Sequence, residues 1–309
     1  MALGTSSGRP TRDRHVSAFA VDVGGHWILV DCGDGTQHQV LVSPLKLARL
    51  DTVLITHLHG DHALGLPALL ATMGLEGRSE RLRLVGPVGL RGWLAATAAT
   101  PLLWVEFPLE IIELDDATFE DGSPRRVGDV QGHTIDTLPL RHRVPCFGFR
   151  ITEAPRPGHV MVDRAASLGL VPGPDLGRLQ RGESVTVGGV TVSPEQVLAA
   201  PRRPRAVAVF GDTMPCEHGV TLARDADLLI HEATYSEQHA DLAEMWTHST
   251  AMQAATVARD AGAARLLITH FSARHGDPAP LVEEARTVFA ATDAAVELAW
   301  VAASPVVQG

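Results

Sequence analysis

Apolar residues in this chain fall into short runs separated by polar turns, and several runs stop on a histidine or an acid. Residues 14–31 alternate loosely and finish at Leu29-Val30-Asp31. Val53-Leu54-Ile55-Thr56 reads as a buried strand. So do Leu82-Arg83-Leu84-Val85, Ala206-Val207-Ala208-Val209-Phe210, Asp227-Leu228-Leu229-Ile230 and Leu266-Leu267-Ile268-Thr269. The last three lead into Gly211-Asp212, His231-Glu232 and His270. Helical spacing is expected over Leu66–Met73, closed by Gly74, and over residues 88–100. It is also expected over His248–Ala263, with Ser249 or Thr250 near the N-cap, and over Pro280–Ala291. Residues 109–140 read as short strands with turns. Together these elements define an α/β fold.

One stretch breaks the pattern. Residues 153–205 are crowded with Pro and Gly, a composition that argues against a regular layer. They are expected to form an insertion, roughly 153–200, that protrudes from a single domain spanning 1–309. Long irregular segments of this kind are functional or disordered more often than not. The cations of the insert are Arg156, Arg164, Arg178 and Arg181, partly offset by Asp163, Asp175 and Glu183.

Directly after the first buried strand comes Thr56-His57-Leu58-His59-Gly60-Asp61-His62. This is an H-x-H-x-D-H pattern, dense in side chains that bind metal. Imidazole with carboxylate suits zinc, iron or manganese. Four such groups in six positions are too crowded for one ion and better suited to two. A weak echo follows later: Val53-Leu54-Ile55-Thr56-His57 and Leu266-Leu267-Ile268-Thr269-His270 are nearly the same strand-to-ligand unit. Ligands at strand ends in both halves would meet in a crevice outside the carboxyl ends of the strands.

Composition narrows the setting. With 309 residues, 45% of them hydrophobic, the chain can bury a large core. The three cysteines, Cys32, Cys146 and Cys216, are scattered, with no C-x-x-C. That argues against a disulfide framework and for a reducing, cytoplasmic compartment. Neither a signal peptide nor a membrane-spanning run is expected. The net charge of −10 disfavours a nucleic-acid partner when taken alone. However, two metal ions and the basic runs Arg141-His142-Arg143 and Pro201-Arg202-Arg203-Pro204-Arg205 could make one positive face.

At the level of motifs the chain resembles metallo-β-lactamase-superfamily hydrolases, and within them the short-form ribonuclease Z family of tRNA 3′-processing endonucleases. The resemblance runs nearly end to end. It is carried by Gly4–Thr11, Asp31–Gln37, Pro44-Leu45-Lys46, the H-x-H-x-D-H motif, His142–Phe149, Gly211–Cys216 and His270–Arg274. His231-Glu232-Ala233-Thr234 and His248-Ser249-Thr250 are the signatures that separate this family from the rest of the superfamily.

The resemblance implies a four-layer αββα sandwich whose Pro/Gly-rich insert is an exosite arm gripping the tRNA elbow. It implies two zinc ions per subunit. His57, His59 and His142 would hold one, Asp61, His62 and His270 the other, and Asp212 would bridge them. The expected reaction is hydrolysis of a phosphodiester by water activated between ions ~3.5–4 Å apart. Asp61 would orient or deprotonate the nucleophile. His248 would contact the scissile phosphate and assist departure of the 3′-oxygen, and Glu232 would orient His248. Precursor tRNA is the implied partner, with a homodimer as the working unit and no membrane. Asp31 reads equally as a support for the ligand loop or as an ordinary turn residue. His133, His159, His218 and His239 read as structural or surface residues. The main alternative is a superfamily hydrolase of a small ester, arylsulfatase- or lactonase-like. A metal-dependent RNA-binding protein without turnover and an exonuclease of the same superfamily are further alternatives.

Overall fold

Side chains alternate across a strand, so each strand feeds two layers at once. The computed structural model describes residues 1–100, 103, 105–155 and 157–303, and Arg156 of the insert lies outside them. The first sheet contains β1 (Ala2–Gly4), β2 (Ala18–Asp22), β3 (Trp27–Val30), β4 (Leu50–Leu54), β5 (Leu82–Pro87) and β6 (Leu109–Leu114) in sequential order. Its first three strands are antiparallel neighbours, and β3 through β6 run parallel. Ile28, Val30, Leu54 and Val85 enter one apolar cluster. Their immediate neighbours Trp27, Leu29, Val53 and Leu84 enter another, with Leu66, Leu69 and Leu70 of the helix Leu66–Leu75 and Leu90 and Leu94 of the helix Leu90–Ala98. Cover on both faces is what parallel strands require.

The second sheet begins with β7 (Arg125–Val130), β8 (His133–Leu140) and β9 (Cys146–Thr152), joined antiparallel. The chain then builds Glu153–Pro204, a compact unit of its own. That unit holds the hairpin β10 (Val185–Val187) and β11 (Val190–Val192), three short helices, and a small core of Ala165, Leu170, Leu179, Val185, Val192 and Val197. Composition had argued against regular structure there. Two of its prolines, Pro174 and Pro194, instead sit in the first turn of helices, where the missing N–H is harmless.

The chain returns through β12 (Ala206–Phe210), β13 (Leu228–Glu232), β14 (Leu266–Thr269) and β15 (Thr292–Ala294), all parallel. The completed sheet has the order β15-β14-β13-β12-β9-β8-β7. Ile135, Phe147 and Phe149 of this sheet share a cluster with Ile28, Val30, Leu54 and Val85 of the first. Leu222, Ala254, Val257, Leu281 and Ala285 join from the helices Glu217–Ala223, Ala251–Asp260 and Ala279–Arg286. The layers are thus helices, sheet, sheet, helices, as expected from the sequence.

Boundaries differ in detail. The first motif strand starts at Leu50 and stops at Leu54, so Thr56 already lies in the loop. The helix expected from His248 starts at Ala251. Thr250 caps it in a reciprocal pair with Gln253, leaving His248 outside the helix. The helix expected to reach Ala291 stops at Arg286.

Gly211, just past β12, shows how closely the sheets approach at this end. A Cβ there would stand 2.5 Å from Thr56 Cβ, beyond β4, and 2.7 Å from Cys146 Sγ at the start of β9. Gly211→Ala should therefore cost about 1–3 kcal/mol. The check is its urea midpoint, and a variant as stable as the parent would show that the sheets are not closed against each other here.

Candidate metal centre

Each candidate residue except His248, which lies between the helices Ala240–Trp246 and Ala251–Asp260, is delivered by a strand end or the loop just beyond it. His57, His59, Asp61 and His62 follow β4, and Asp212 follows β12. His231 and Glu232 close β13, and His270 follows β14. His142 lies between β8 and β9. The structure gathers ligand atoms of His57, His59, His142 and Asp212 into one group within 4.8 Å of one another, and those of Asp61, His62 and His270 into a second. All seven residues that the sequence marks for metal therefore converge.

The outer edges of the rings are tied down. His62 Nδ1 donates to Asp31 Oδ2 at 2.7 Å, and Asp31 also accepts from the Thr56 amide and hydroxyl. Because that hydroxyl is used as a donor, it accepts from His57 Nδ1 at 3.0 Å. His142 Nδ1 donates to the Thr247 carbonyl at 2.8 Å. His270 Nδ1 donates to Thr234 Oγ1 at 2.9 Å, and that hydroxyl in turn donates to Glu232 at 2.6 Å. In each ring the outer nitrogen holds the hydrogen, which leaves Nε2 as the inward lone pair. His59 is reversed and turns Nδ1 inward.

These inward atoms crowd together. His57 Nε2 stands 3.0 Å from His59 Nδ1, and His62 Nε2 stands 3.3 Å from His270 Nε2. Facing lone pairs at such distances repel unless a cation lies between them. Asp212 points the same way. It is buried, and its Oδ1 accepts no hydrogen bond, although His270 Nε2 and His62 Nε2 lie 3.3 and 3.4 Å away. An orphaned buried carboxylate oxygen among imidazole lone pairs is the donor set a divalent transition metal takes.

Titration follows the same charges. Burial depresses His57 well below the ordinary histidine value, and neighbouring His62 adds to this. Burial also lowers His59 and His142, against the pull of Asp212. For His62, burial is outweighed by Asp212 and Asp31, which raise it well above that value. A metal bound among these groups would compete with protons for the same nitrogens. Asp61 is held low despite burial by His270 and His62 beside it, so it is ionised. Its Oδ2 also accepts the Gly8 amide at 2.6 Å.

His248 is different. It lies near Asp212 and His270, but its Nδ1 is committed to Glu232 Oε1 at 2.8 Å and is 3.8 Å from Asp212. Glu232 is buried and fully engaged, accepting also from the Thr213 amide and from both donors of Thr234. Burial lowers His248, but Glu232 and Asp212 outweigh it and raise its pKa to about 9. It is thus a protonated ring whose Nε2 has no partner among the described residues, a donor and not a ligand.

The loop that opens the chain is built into the same end. Thr5 O accepts the Phe271 amide, and Phe271 O accepts the Ser7 amide. Thr5, His15 and Gln39 all donate to Glu297, with distances from 2.8 to 3.2 Å. Asp31 is the support and not the ordinary turn residue. Among the described residues the His231 ring bonds the Glu232 carbonyl through Nδ1 and leaves Nε2 unpaired. His218 bonds the Pro139 carbonyl and His239 the Ser236 hydroxyl. Sequence reasoning gave no role to Thr56, Thr234, Thr247 or Gly8. Thr234 was visible only as part of a signature, and the others make contacts across distant segments.

Two sheets face to face, helices outside, and imidazoles and carboxylates collected at the strand ends define the metallo-β-lactamase fold. A model of the β-lactamase superfamily domain matches residues 26–162. Ribonuclease Z of Salinibacter ruber is 46% identical over 298 residues, which are 96% of this chain and 91% of that protein. Ribonuclease BN of Cronobacter sakazakii is 40% identical over 300 residues, 95% and 96% of the two chains. Among solved structures, the short form of human tRNase Z matches with a TM-score of 0.69 at 27% identity, over 98% of each chain. The chain belongs to the ribonuclease Z family.

Glu232→Gln removes the charge but keeps the shape. The pKa of His248 should then fall from about 9 toward the ordinary value of about 6.5. NMR titration of the ring in the metal-free protein reads this directly. An unchanged value would mean that Glu232 does not set the charge of His248.

Proposed function

We propose that this chain is a metal-dependent endoribonuclease of the tRNase Z type. It hydrolyses the phosphodiester 3′ to the discriminator of precursor tRNA, removing the 3′ trailer and leaving a 3′-hydroxyl. The observation that carries the reading is His248, bonded through Nδ1 to Glu232 Oε1 at 2.8 Å and placed beside a donor set for metal. It is assembled from the two segments that distinguish this family, in a chain whose relatives are ribonucleases Z over nearly their whole length.

In this reading His57, His59, His142 and Asp212 would hold one zinc, and Asp61, His62 and His270 a second, with Asp212 within reach of both groups. Bound zinc makes water more acidic and stabilises negative charge on phosphoryl oxygens. The remaining work falls to side chains. Asp61, kept ionised and fixed by the Gly8 amide, accepts a hydrogen bond from the attacking water and orients it. Glu232 fixes His248 in one orientation and keeps it protonated. His248 presents Nε2–H to the scissile phosphate and gives that proton to the departing 3′-oxygen. Asp31 and Thr234 hold His62 and His270 at the angle their roles need.

The insert Glu153–Pro204 is the proposed tRNA-holding arm. Arg178 pairs with Asp175 and Glu183, and Arg181 with Glu183, so these cations are largely neutralised within the insert. Recognition by the arm then rests on shape more than on net charge. A homodimer belongs to the same proposal. Leu41 and Leu75 lie exposed on the helices Thr36–Val42 and Leu66–Leu75, which pack together. A cavity of about 340 Å³ is lined there by Leu41, Leu45, Leu47 and Thr72. Sedimentation of the purified protein tests that part. Among the described residues no helix is long and apolar enough to cross a membrane, and all three cysteines are free. The free cysteines fit the cytoplasmic setting that belongs to this proposal.

The primary test is incubation with a tRNA carrying a 3′ trailer, mapping the cut to the nucleotide. Cleavage anywhere but 3′ of the discriminator, or none, would overturn the reading. His248→Ala should keep its metal and lose turnover by about 10²–10⁴-fold. Asp212→Ala should lose metal and activity together, as read by elemental analysis. Full occupancy in that variant would remove Asp212 from the ligand set.

A further inference from the structure

One exposed feature at the rim of the site has no place in the chemistry above. Arg143 follows His142, and its guanidinium lies over the indole of Trp246 with Cζ 4.6 Å from the ring centroid. Arg143 is exposed, and Trp246, closing the helix Ala240–Trp246, keeps 43% of its surface in solvent. Among the described residues Arg143 has no carboxylate partner, on a chain of net charge −10.

The pair is anchored to the centre from both sides. Thr247, next to Trp246, has a left-handed backbone (φ 57°), and its carbonyl accepts from His142 Nδ1. The residue after Thr247 is His248. Tyr235, the only tyrosine, stands on another side of His248 with ring centroids 6.1 Å apart.

We propose that Arg143 and Trp246 form a stacking platform for one unpaired nucleobase adjoining the scissile phosphate. The proposal rests on the tRNA-cleavage reading above. A phosphate would need only the guanidinium edge and would leave the half-exposed indole unexplained. A base matches both planar groups, because indole and guanidinium faces stack on nucleobases of any sequence. The base must be unpaired, since neighbours cover the faces of a paired one. Adjacency follows from the chain itself, because Arg143 directly follows His142 and Trp246 lies two positions before His248.

The test is a cycle between protein and substrate. Trp246→Ala, Trp246→Phe and Arg143→Gln are assayed on precursor tRNA and on substrates with an abasic site at the nucleotide on either side of the cut. Hydrolysis of bis-p-nitrophenyl phosphate and metal content are measured in parallel. Trp246→Ala should lose about tenfold in kcat/KM on intact precursor, mainly through KM. Its small-substrate hydrolysis and metal content should be unchanged, and Trp246→Phe should retain most activity. One abasic position should cost the unaltered enzyme a similar factor and cost Trp246→Ala nothing more. If both abasic penalties multiply with the protein change, or if intact precursor is cleaved as well as before, the platform is wrong. Should Trp246→Ala lose metal, the same cycle in Arg143→Gln decides, because it leaves the Thr247 backbone in place. Absence of any precursor cleavage by the unaltered protein overturns the functional reading and this proposal together, whereas cleavage with multiplying penalties overturns this proposal alone.

Discussion

A buried imidazole with neither nitrogen paired is costly, and a lone pair aimed at other lone pairs is costlier still. The architecture of this site meets that constraint from outside. His57, His62, His142 and His270 each give their outer N–H to an oxygen, so the ring cannot rotate and the inward nitrogen has no hydrogen to offer. The oxygens are themselves held. Asp31 spreads its charge over three donors and Glu232 over four. What remains uncompensated sits at the centre, in Asp212 Oδ1 and the converging nitrogens. The outer nitrogens of these four rings are satisfied, while Asp212 Oδ1, which a cation would take, is left without a partner.

The same aim is visible in the backbone. Asp31 and His270, each one residue past a strand, adopt φ near +60°, as does Thr247. Left-handed conformations are uncommon outside glycine, tolerable for Asp and His, and strained for a β-branched residue such as Thr. At the ends of β3 and β14 they turn the side chain out of the strand direction toward the space between the sheets. At Thr247 the turn presents a carbonyl to His142. Strain is tolerated where the surrounding sheets and hydrogen bonds fix it, and here both do.

Much of this was legible in the sequence, for identifiable reasons. Ligand type and spacing announce themselves in His57–His62, and the apolar runs before Asp212, Glu232 and His270 place those residues at strand ends. The unbroken apolar runs Trp27–Val30 and Val53–Ile55 are what strands covered on both faces require. The supports were less legible. Thr234 joins Glu232 to His270 only because β13 and β14 lie side by side in register. The use of Asp31 depends on a loop twenty-five positions away in the chain. The helices Thr36–Val42, Glu217–Ala223 and Ala240–Trp246 are each seven residues long, too short for periodicity to stand out. In Glu153–Pro204, proline read as a breaker acts as a starter, because its position within the first turn decides its effect.

The carboxylate of Glu297 ties together Thr5, His15 and Gln39, joining segments as much as 292 positions apart. The opening loop whose Gly8 amide holds Asp61 is secured through that clasp. Glu297 therefore bears on the centre without touching it: loosening the clasp would free the loop that fixes one of the converging carboxylates.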